Sequence, residues 1–267
     1  MVNTIAMLAH ARQTGVYVPA FNIYNLETMQ AALEASKRAA QPVILAFGER
    51  YLQNASLEVI AAMAQCLTRE HPHETALHLD HCRSLECIQK ALEAGFTSVM
   101  YDGSDLPLEK NIEGTLKARK LADAFGASLE GELGGLNDEF GGGSVSAFTD
   151  PAQAEIYVRE TGVNSLAVSV GNAHGLYKGV PHIDQERLQA IYERVQIPLV
   201  LHGSSGIPME TLRESARIAV AKINVNTEIT MAGADALRRS LETEKRMEKP
   251  VLAARESMTE TMVRFYC

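Results

Sequence analysis

The stretch PAFNIYNLET, residues 19–28, joins the first predicted strand to the first predicted helix and discriminates between two α/β folds. Its apolar beginning belongs to a run, Tyr17–Asn22, with the composition of a buried parallel strand. The helical pattern that follows, Leu26–Ala40, repeats apolar residues at a spacing of three to four. A doubly wound open sheet requires a glycine-rich turn after its first strand. The turn at 22–25 contains no glycine, which favours a (β/α)8 barrel.

The alternation of short apolar runs with helical segments continues along the chain. Eight strands are predicted: Tyr17–Asn22, Pro42–Phe47, Thr75–Asp80, Thr97–Asp102, Ala127–Leu133, Ser165–Gly171, Pro198–Gly203 and Ala221–Val225. The helices predicted between and after them are Leu26–Ala40, Leu57–Glu70, Ser84–Ala94, Leu108–Phe125, Pro151–Thr161, Asp184–Arg194 and Pro208–Arg217. This pattern, without a break in composition, predicts one α/β domain over residues 1–267, a (β/α)8 TIM barrel. Thr230–Cys267 predicts two extra C-terminal helices broken near Pro250.

The composition excludes several classes of protein. The chain is 46% hydrophobic and 22% charged, as in soluble globular proteins. Its net charge of −8 argues against nucleic acid or an anionic membrane as a partner. Apolar runs are too short to span a membrane, and Met1–Arg12 lacks the pattern of a secretory signal. The four cysteines form no CxxC motif, so we expect reduced thiols in a cytoplasmic protein.

Polar residues follow seven of the eight predicted strands. They are Asn22, His78–His81, Asp102, Glu130–Glu132, Asn172–Gly175, His202–Gly206 and Asn224–Thr227. In a (β/α)8 barrel the carboxyl ends of all strands meet at one rim, where the active site is built. We therefore expect these side chains to line one site.

Three histidines follow three different strands and can meet only if the barrel closes. They are His81, His174 and His202. Three neutral imidazoles around Zn²⁺ leave one coordination position open, which is typical of a catalytic metal site. Each histidine alone is better explained by ordinary hydrogen bonding, but the set of three favours a metal. His78 lies inside its strand, where a supporting role behind the site is the better interpretation.

Carboxylates accompany these histidines. Asp80 directly precedes His81, and at the barrel mouth it is a candidate acid–base group for a substrate hydroxyl. Asp102 and Glu132 also end strands. They could hold a second divalent metal or a monovalent cation, or orient the other ligands. Hydrogen bonding to loop amides is an equal alternative for both.

Two turns have the composition of a phosphate site. Gly203, Ser204 and Ser205 precede a predicted helix that begins at Pro208, and Asn224, Val225, Asn226 and Thr227 precede one that begins at Glu228. Helix N-termini bind anions, and the loops after strands seven and eight form the usual phosphate site of this fold. The glycine-rich segment 134–147 is either a mobile lid or an unstructured surface loop.

Seven collinear blocks resemble the class II, metal-dependent ketose-bisphosphate aldolases, most closely the tagatose-bisphosphate and short fructose-bisphosphate branch. The blocks are PAFNIYNLET at 19–28, HLDHC at 78–82, SVMYDGSDLP at 98–107, LEGELGG at 129–135, NAHGLYKG at 172–179, LVLHGSSGIP at 199–208 and KINVNTE at 222–228. The resemblance covers nearly the whole chain but does not identify the sugar. One departure is Gly48-Glu49-Arg50, where many relatives have a serine or threonine near the end of strand two.

The resemblance implies roles for individual residues. It implies that His81, His174 and His202 bind the catalytic Zn²⁺, and that Asp80 exchanges a proton with the C4 hydroxyl. Contacts to the dihydroxyacetone-phosphate half are implied for Asn22, Gly175, Gly203, Ser205, Asn224 and Thr227. Asp102 and Glu132 match a second, non-catalytic metal site of some members. Glu139, in the glycine-rich loop, resembles the glutamate that exchanges a proton with the three-carbon fragment, although its acidic neighbours are alternatives.

Several functions remain open at this stage. The expected reaction is reversible cleavage of a tagatose- or fructose-type bisphosphate to dihydroxyacetone phosphate and an aldehyde, in a homodimer or homotetramer. A related sugar-acid or sulfonated ketose phosphate is an alternative substrate. Schiff-base chemistry at Lys222 is disfavoured, because this residue lies near the start of its strand and should point away from the active rim. A non-catalytic partner subunit would be expected to lack part of the histidine and aspartate set.

Overall fold

The computed structural model describes residues 1–135, 148–175, 177, 179 and 181–266. Eight parallel strands form a closed barrel in chain order, so the predicted (β/α)8 fold is confirmed. The strands are β1 (Val18–Asn22), β2 (Val43–Gly48), β3 (Thr75–Cys82), β4 (Ser98–Tyr101), β5 (Ser128–Leu133), β6 (Ser165–Val168), β7 (Leu199–Leu201) and β8 (Val220–Val225). Their side chains are buried almost throughout, which explains the continuous apolar runs of the sequence.

Helices surround the barrel and extend past its last strand. They are α1 (Thr4–Thr14), α2 (Leu26–Ala39), α3 (Leu57–Thr68), α4 (Leu85–Ala94), α5 (Leu108–Ala124), α6 (Pro151–Thr161), α7 (Gln185–Val195), α8 (Met209–Ile218), α9 (Thr227–Leu241) and α10 (Glu248–Val263). A short 3-10 turn, Glu49–Gln53, follows β2. In the described part of the chain, no helix combines the length and the apolar character that a membrane span requires.

The structure refines the helix prediction at both ends of the chain. Helix α1 was not predicted, although its caps were readable in the sequence: the Asn3 side chain accepts from the Ile5 amide, and Gly15 ends the helix in a left-handed conformation. The two predicted C-terminal helices are present. The break between them lies at 242–247, shortly before Pro250, which is the third residue of α10. A proline is tolerated there because first-turn amides have no partner within the helix.

The barrel interior is built in layers, since every second residue of a strand points inward. At the amino-terminal end, Ala20, Ala46 and Ala76 form one apolar cluster with Met7 and Leu8 of α1. Helix α1 therefore covers this end of the barrel. Two residues further along β1 and β3, at Asn22 and His78, the interior becomes polar, so the site opens at the carboxyl end.

Candidate active site

A pocket of about 500 Å³ lies at the carboxyl ends of the strands, as the sequence predicts. This volume falls in the range of small-molecule sites. Its lining includes most of the predicted site residues: Asn22, Asp80, His81, Asp102, Glu132, His174, Gly175, His202, Gly203, Ser205, Asn224, Asn226 and Thr227. Glu139 lies outside the described residues. Ser204 and Val225 are buried, but neither lines the pocket.

The three predicted histidines converge on one point of this pocket. The ring of His81 is 4.9 Å from that of His174 and 4.5 Å from that of His202, measured between centroids. The rings of His174 and His202 are 6.2 Å apart. One nitrogen from each ring lies within 4.8 Å of the other two. Barrel closure thus brings together three imidazoles from three different strands.

A bulge in β3 allows two adjacent residues to face the same pocket. Consecutive residues of a regular strand point to opposite sides, yet both Asp80 and His81 line the pocket. The register between β3 and β4 shifts between Leu79 and Cys82, and His81 has a φ of +47°. Such a conformation is uncommon for a residue with a side chain and is typical of functional sites. The bulge places the carboxylate beside the imidazole.

Unpaired ring nitrogens show that the histidine cluster fits a metal ion. Nε2 of His81 and Nδ1 of His202 are buried without a hydrogen-bond partner among the described residues. Burial, more than any neighbouring charge, lowers the pKa of His174 to about 3, so its imidazole is neutral. Neutral imidazoles with unused ring nitrogens are the donor set of catalytic zinc sites. Burial alone would lower the pKa of His81, but Asp80 and the two carboxylates beside its Nδ1 raise it, so a metal ion would bind this ring by displacing a proton.

Acceptors on the far side of the rings fix the orientation of two histidines. Nδ1 of His81 lies 3.0 Å from Asp102 and 3.4 Å from Glu132. Nε2 of His202 lies 2.8 Å from Glu130. Each ring therefore has one nitrogen held and one left for a metal, as metal-binding histidines do. Asp102 also accepts from the amide of Ser104, so the predicted hydrogen bonding to a loop amide is present as well.

A buried ionic layer, not predicted from the sequence, supports the histidines from below. It consists of His78, Glu130 and Lys222, each two residues before a pocket residue on its strand. Nζ of Lys222 lies 2.8 and 3.0 Å from the two Glu130 oxygens and 3.4 Å from Nε2 of His78. Lys222 thus points into the barrel beneath the site, and its charge is matched by Glu130. The supporting position predicted for His78 agrees with this geometry.

The candidate acid–base carboxylate is held by two amides. Asp80 accepts from Nδ2 of Asn22 at 2.9 Å and from Nδ2 of Asn224 at 3.0 Å. Burial alone would raise the pKa of the Asp80 carboxyl, but the positive charges around it, His81 first among them, hold that pKa below its usual range. The group is therefore ionised and oriented, as a proton acceptor must be. Asn22 and Asn224, predicted as substrate contacts, here position this carboxylate.

The turns after β6, β7 and β8 form one side of the pocket. Gly175 and Gly203 have positive φ angles of +86° and +62°. A methyl group added at Gly203 would lie 2.1 Å from the carbonyl oxygen of Ala173, so glycine is required there. The hydroxyl of Ser205 accepts from the amide of Glu228, in the first turn of α9. A helix N-terminus beside a close-packed glycine turn favours an anion.

Two arginines at the opposite side of the pocket were not predicted. Arg50 follows β2 and donates to the hydroxyl of Tyr51 at 2.7 Å. Arg83 follows β3 and lies 2.6 Å from Asp105. Both line the pocket. The Gly48-Glu49-Arg50 departure was the only signal for Arg50, and no feature of the sequence singled out Arg83.

The buried ionic layer predicts a specific dependence of stability on pH. Burial, followed by the charge of Lys222, lowers the pKa of His78 to about 3. As the pH falls below about 6.5, the unfolded chain protonates this histidine and the folded chain does not, so stability is lost. His78→Gln is expected to remove about 2 kcal/mol of the decrease in unfolding free energy between pH 7 and pH 5. Urea unfolding of the metal-free wild type and variant at both pH values measures this decrease. An equal decrease in the two proteins would contradict the prediction.

The fold and the pocket together define a (β/α)8 enzyme with a candidate metal centre. The family model "Fructose-bisphosphate aldolase class-II" matches residues 2–266. The chain therefore belongs to the class II fructose-bisphosphate aldolase family, whose members are metal-dependent carbon–carbon lyases.

Solved structures agree with this assignment. The chain is similar to the YdjI aldolase from Escherichia coli K12, with 30% identity, a TM-score of 0.89 and coverage of 98% of this chain and 95% of that chain. It is also similar to a protein assigned as a fructose-1,6-bisphosphate aldolase from Coccidioides immitis, with 28% identity, a TM-score of 0.91 and coverage of 98% and 94%. The fold is shared with the fructose-bisphosphate aldolase of Campylobacter jejuni, at 23% identity, a TM-score of 0.81 and coverage of 98% and 94%.

Proposed function

We propose that this chain catalyses the reversible, metal-dependent aldol cleavage of a ketose 1,6-bisphosphate of the tagatose or fructose type. The products are dihydroxyacetone phosphate and an aldehyde such as glyceraldehyde 3-phosphate. One observation carries the proposal: three imidazoles converge beside an ionised carboxylate held by two amides. Membership of the aldolase family supports the reaction type.

His81, His174 and His202 would hold a zinc ion in this proposal. When bound, zinc supplies Lewis-acid polarisation of the C2 carbonyl of the substrate. Asp102 and Glu132 hold the ring of His81, and they remain candidates for a second divalent metal or a monovalent cation. Glu130 orients His202 in the same way.

Asp80 would take the proton of the C4 hydroxyl in the cleavage direction. Its pKa lies below the usual range, and the amides of Asn22 and Asn224 fix both oxygens. Loss of this proton allows the C3–C4 bond to break and the aldehyde to leave. Glu139 is proposed to return a proton to C3 of the three-carbon fragment.

The pocket offers anion sites at two ends of such a substrate. We assign the 1-phosphate to the turns after β6, β7 and β8, with Gly175, Gly203, Ser205 and Thr227 on the pocket surface. Asn226 of the same turns also lines the pocket, whereas Ser204 and Val225 are buried behind its surface. Arg50 and Arg83 face the remaining end of the substrate. They would recognise a phosphate, a carboxylate or a sulfonate, so a related sugar-acid or sulfonated ketose phosphate is the second candidate substrate.

Release of triose phosphate from a panel of ketose phosphates tests the proposal. We expect cleavage of a 1,6-bisphosphate by the isolated chain, loss of activity with a chelator, and recovery when zinc is added. Activity that resists the chelator and is trapped by borohydride would instead indicate a Schiff base. The position of Lys222 argues against that chemistry, because its Nζ contacts both oxygens of Glu130 in the layer beneath the site and does not line the pocket.

Replacement of Arg83 by alanine tests the assignment of the distal end. A hydrogen bond to a charged group contributes about 1.5–3 kcal/mol, so kcat/KM for the bisphosphate is expected to fall roughly 10- to 100-fold. For a ketose 1-phosphate, which lacks the distal anion, kcat/KM should stay the same. Arg159→Ala, an exposed change on α6 away from the pocket, is the matched control. An equal decrease for both substrates would refute the assignment.

The quaternary structure and the compartment belong to the same proposal. Four large apolar side chains are exposed in or beside the C-terminal helices: Met231, Leu241, Met247 and Leu252. These exposed side chains, together with membership of the family, support a homodimer or homotetramer. Light scattering coupled to size exclusion measures the mass. The free thiols of Cys66, Cys82 and Cys87 support a cytoplasmic enzyme.

A further inference from the structure

Two cysteines lie together directly beside the cluster of His81, His174 and His202. Cys82 ends β3 and Cys87 lies in the first turn of α4. Their sulfur atoms and a carboxylate oxygen of Glu49 are all within 4.8 Å of one another. Both thiols are free. The proposed reaction uses neither of them.

The two thiols differ in their access to solvent. Cys82 is fully buried and its thiol donates to the carbonyl of Ser84 at 3.3 Å. Cys87 is 8% exposed, and its amide donates to the side chain of Ser84, which caps α4. A cysteine at a helix N-terminus is favoured as a nucleophile, because the helix end stabilises the thiolate. Cys87 is therefore the thiol that a small oxidant reaches first, with Cys82 behind it.

We propose that Cys82 and Cys87 form a reversible disulfide that switches off the active site. Hydrogen peroxide oxidises Cys87 to a sulfenic acid and releases water. The Cys82 sulfur then attacks the Cys87 sulfur, and the displaced hydroxide takes the Cys82 proton and leaves as a second water. In total, two thiols and one hydrogen peroxide give one disulfide and two waters.

The neighbouring carboxylate favours this product over the alternatives. Glu49 accepts from the Arg83 amide at 2.9 Å, which holds it beside both sulfur atoms. Further oxidation of a thiol produces a sulfinate or sulfonate, whose negative charge would be buried next to this carboxylate. A disulfide carries no charge. Transient disulfides of this kind are the form in which cytoplasmic proteins sense oxidants.

Formation of the Cys82–Cys87 disulfide would alter the active site, because Cys82 and His81 are adjacent in the chain. The sulfur atoms must approach to about 2 Å, which moves the end of β3. Cys82 directly follows His81, whose φ of +47° depends on the bulge at this point. Displacing this imidazole should weaken zinc binding, and a misplacement of about 1 Å can lower turnover roughly 10²-fold.

Mass spectrometry of the zinc-loaded chain treated with hydrogen peroxide tests the proposal. Cys66→Ser/Cys267→Ser removes the other two of the four cysteines and serves as the background. We expect a peptide cross-link between Cys82 and Cys87, loss of bound zinc, and about 10²-fold lower activity. Dithiothreitol should reverse all three. The activity readout rests on the proposed aldolase function, whereas the cross-link and the zinc content do not.

Cys87→Ser and Cys87→Ala in the same background are the matched variants. Both are expected to keep basal activity and zinc, and to resist reversible inactivation by peroxide. Sulfinate or sulfonate without a cross-link would overturn the proposal, as would a cross-link that leaves zinc content and activity unchanged. A second zinc ion that binds the two thiols and blocks oxidation would also overturn the proposal, because Cys82, Cys87 and Glu49 would then form a metal site.

Discussion

Asp80→Asn is expected to lower kcat by about 10²–10⁴ while zinc remains bound, the usual effect of removing a positioned acid–base group. An asparagine keeps the shape of the side chain but cannot take a proton from the substrate. The metal should remain because Asp80 is not among the three imidazoles of the cluster. Turnover and zinc content of the purified variant measure both expectations. We expect Asp80→Ala to behave in the same direction.

Asp105→Asn is the control for this experiment. Asp105 is another carboxylate of the same pocket, but it is exposed and paired with Arg83. Exposed ion pairs contribute about 0–1 kcal/mol, so kcat should change by no more than about fivefold. Near-normal turnover of the Asp80 variant would remove this residue from the proposed role.

His174→Ala is expected to abolish metal binding and activity together. Two imidazoles would remain from a cluster of three, too few for a stable zinc site. Because a Lewis acid contributes several kcal/mol to the transition state, kcat should fall roughly 10³-fold or more. Elemental analysis after dialysis, combined with the cleavage assay, measures both quantities.

An exposed histidine provides the matched substitution. His182→Ala changes the same residue type in a loop outside the pocket, and it should retain both zinc and turnover. A fully metallated and active His174 variant would show that the ligand assignment is wrong.

The fold and the meeting of the three histidines were predictable because both follow from the order of strands and helices along the chain. The regular alternation of eight strands with helices predicts the barrel, and closure of the barrel brings the ends of β3, β6 and β7 to one rim. His81, His174 and His202 could therefore be placed together from their positions in the sequence alone.

Contacts that depend on the stagger between strands were not predictable. Glu130 and Lys222 are 92 residues apart, and their pairing follows from which strands share a layer of the interior. The hydrogen bonds from Asn22 and Asn224 to Asp80 were not predicted for the same reason, and the substrate contacts of these two residues stay a prediction. Val225 is the last residue of β8 and points to the side opposite Asn224, into the core between the barrel and the helices. Ser204 is buried, because its hydroxyl donates to the carbonyl of Leu201. The prediction for Glu139 stays a prediction.

The apolar seal made by Met7 and Leu8 beneath the barrel has a kinetic consequence. In the described part of the chain, substrate enters and both products leave through the same opening of the pocket, at the carboxyl end of the barrel. Under the proposed reaction, product release would therefore be ordered, because the product nearer the opening has to leave before the other one can.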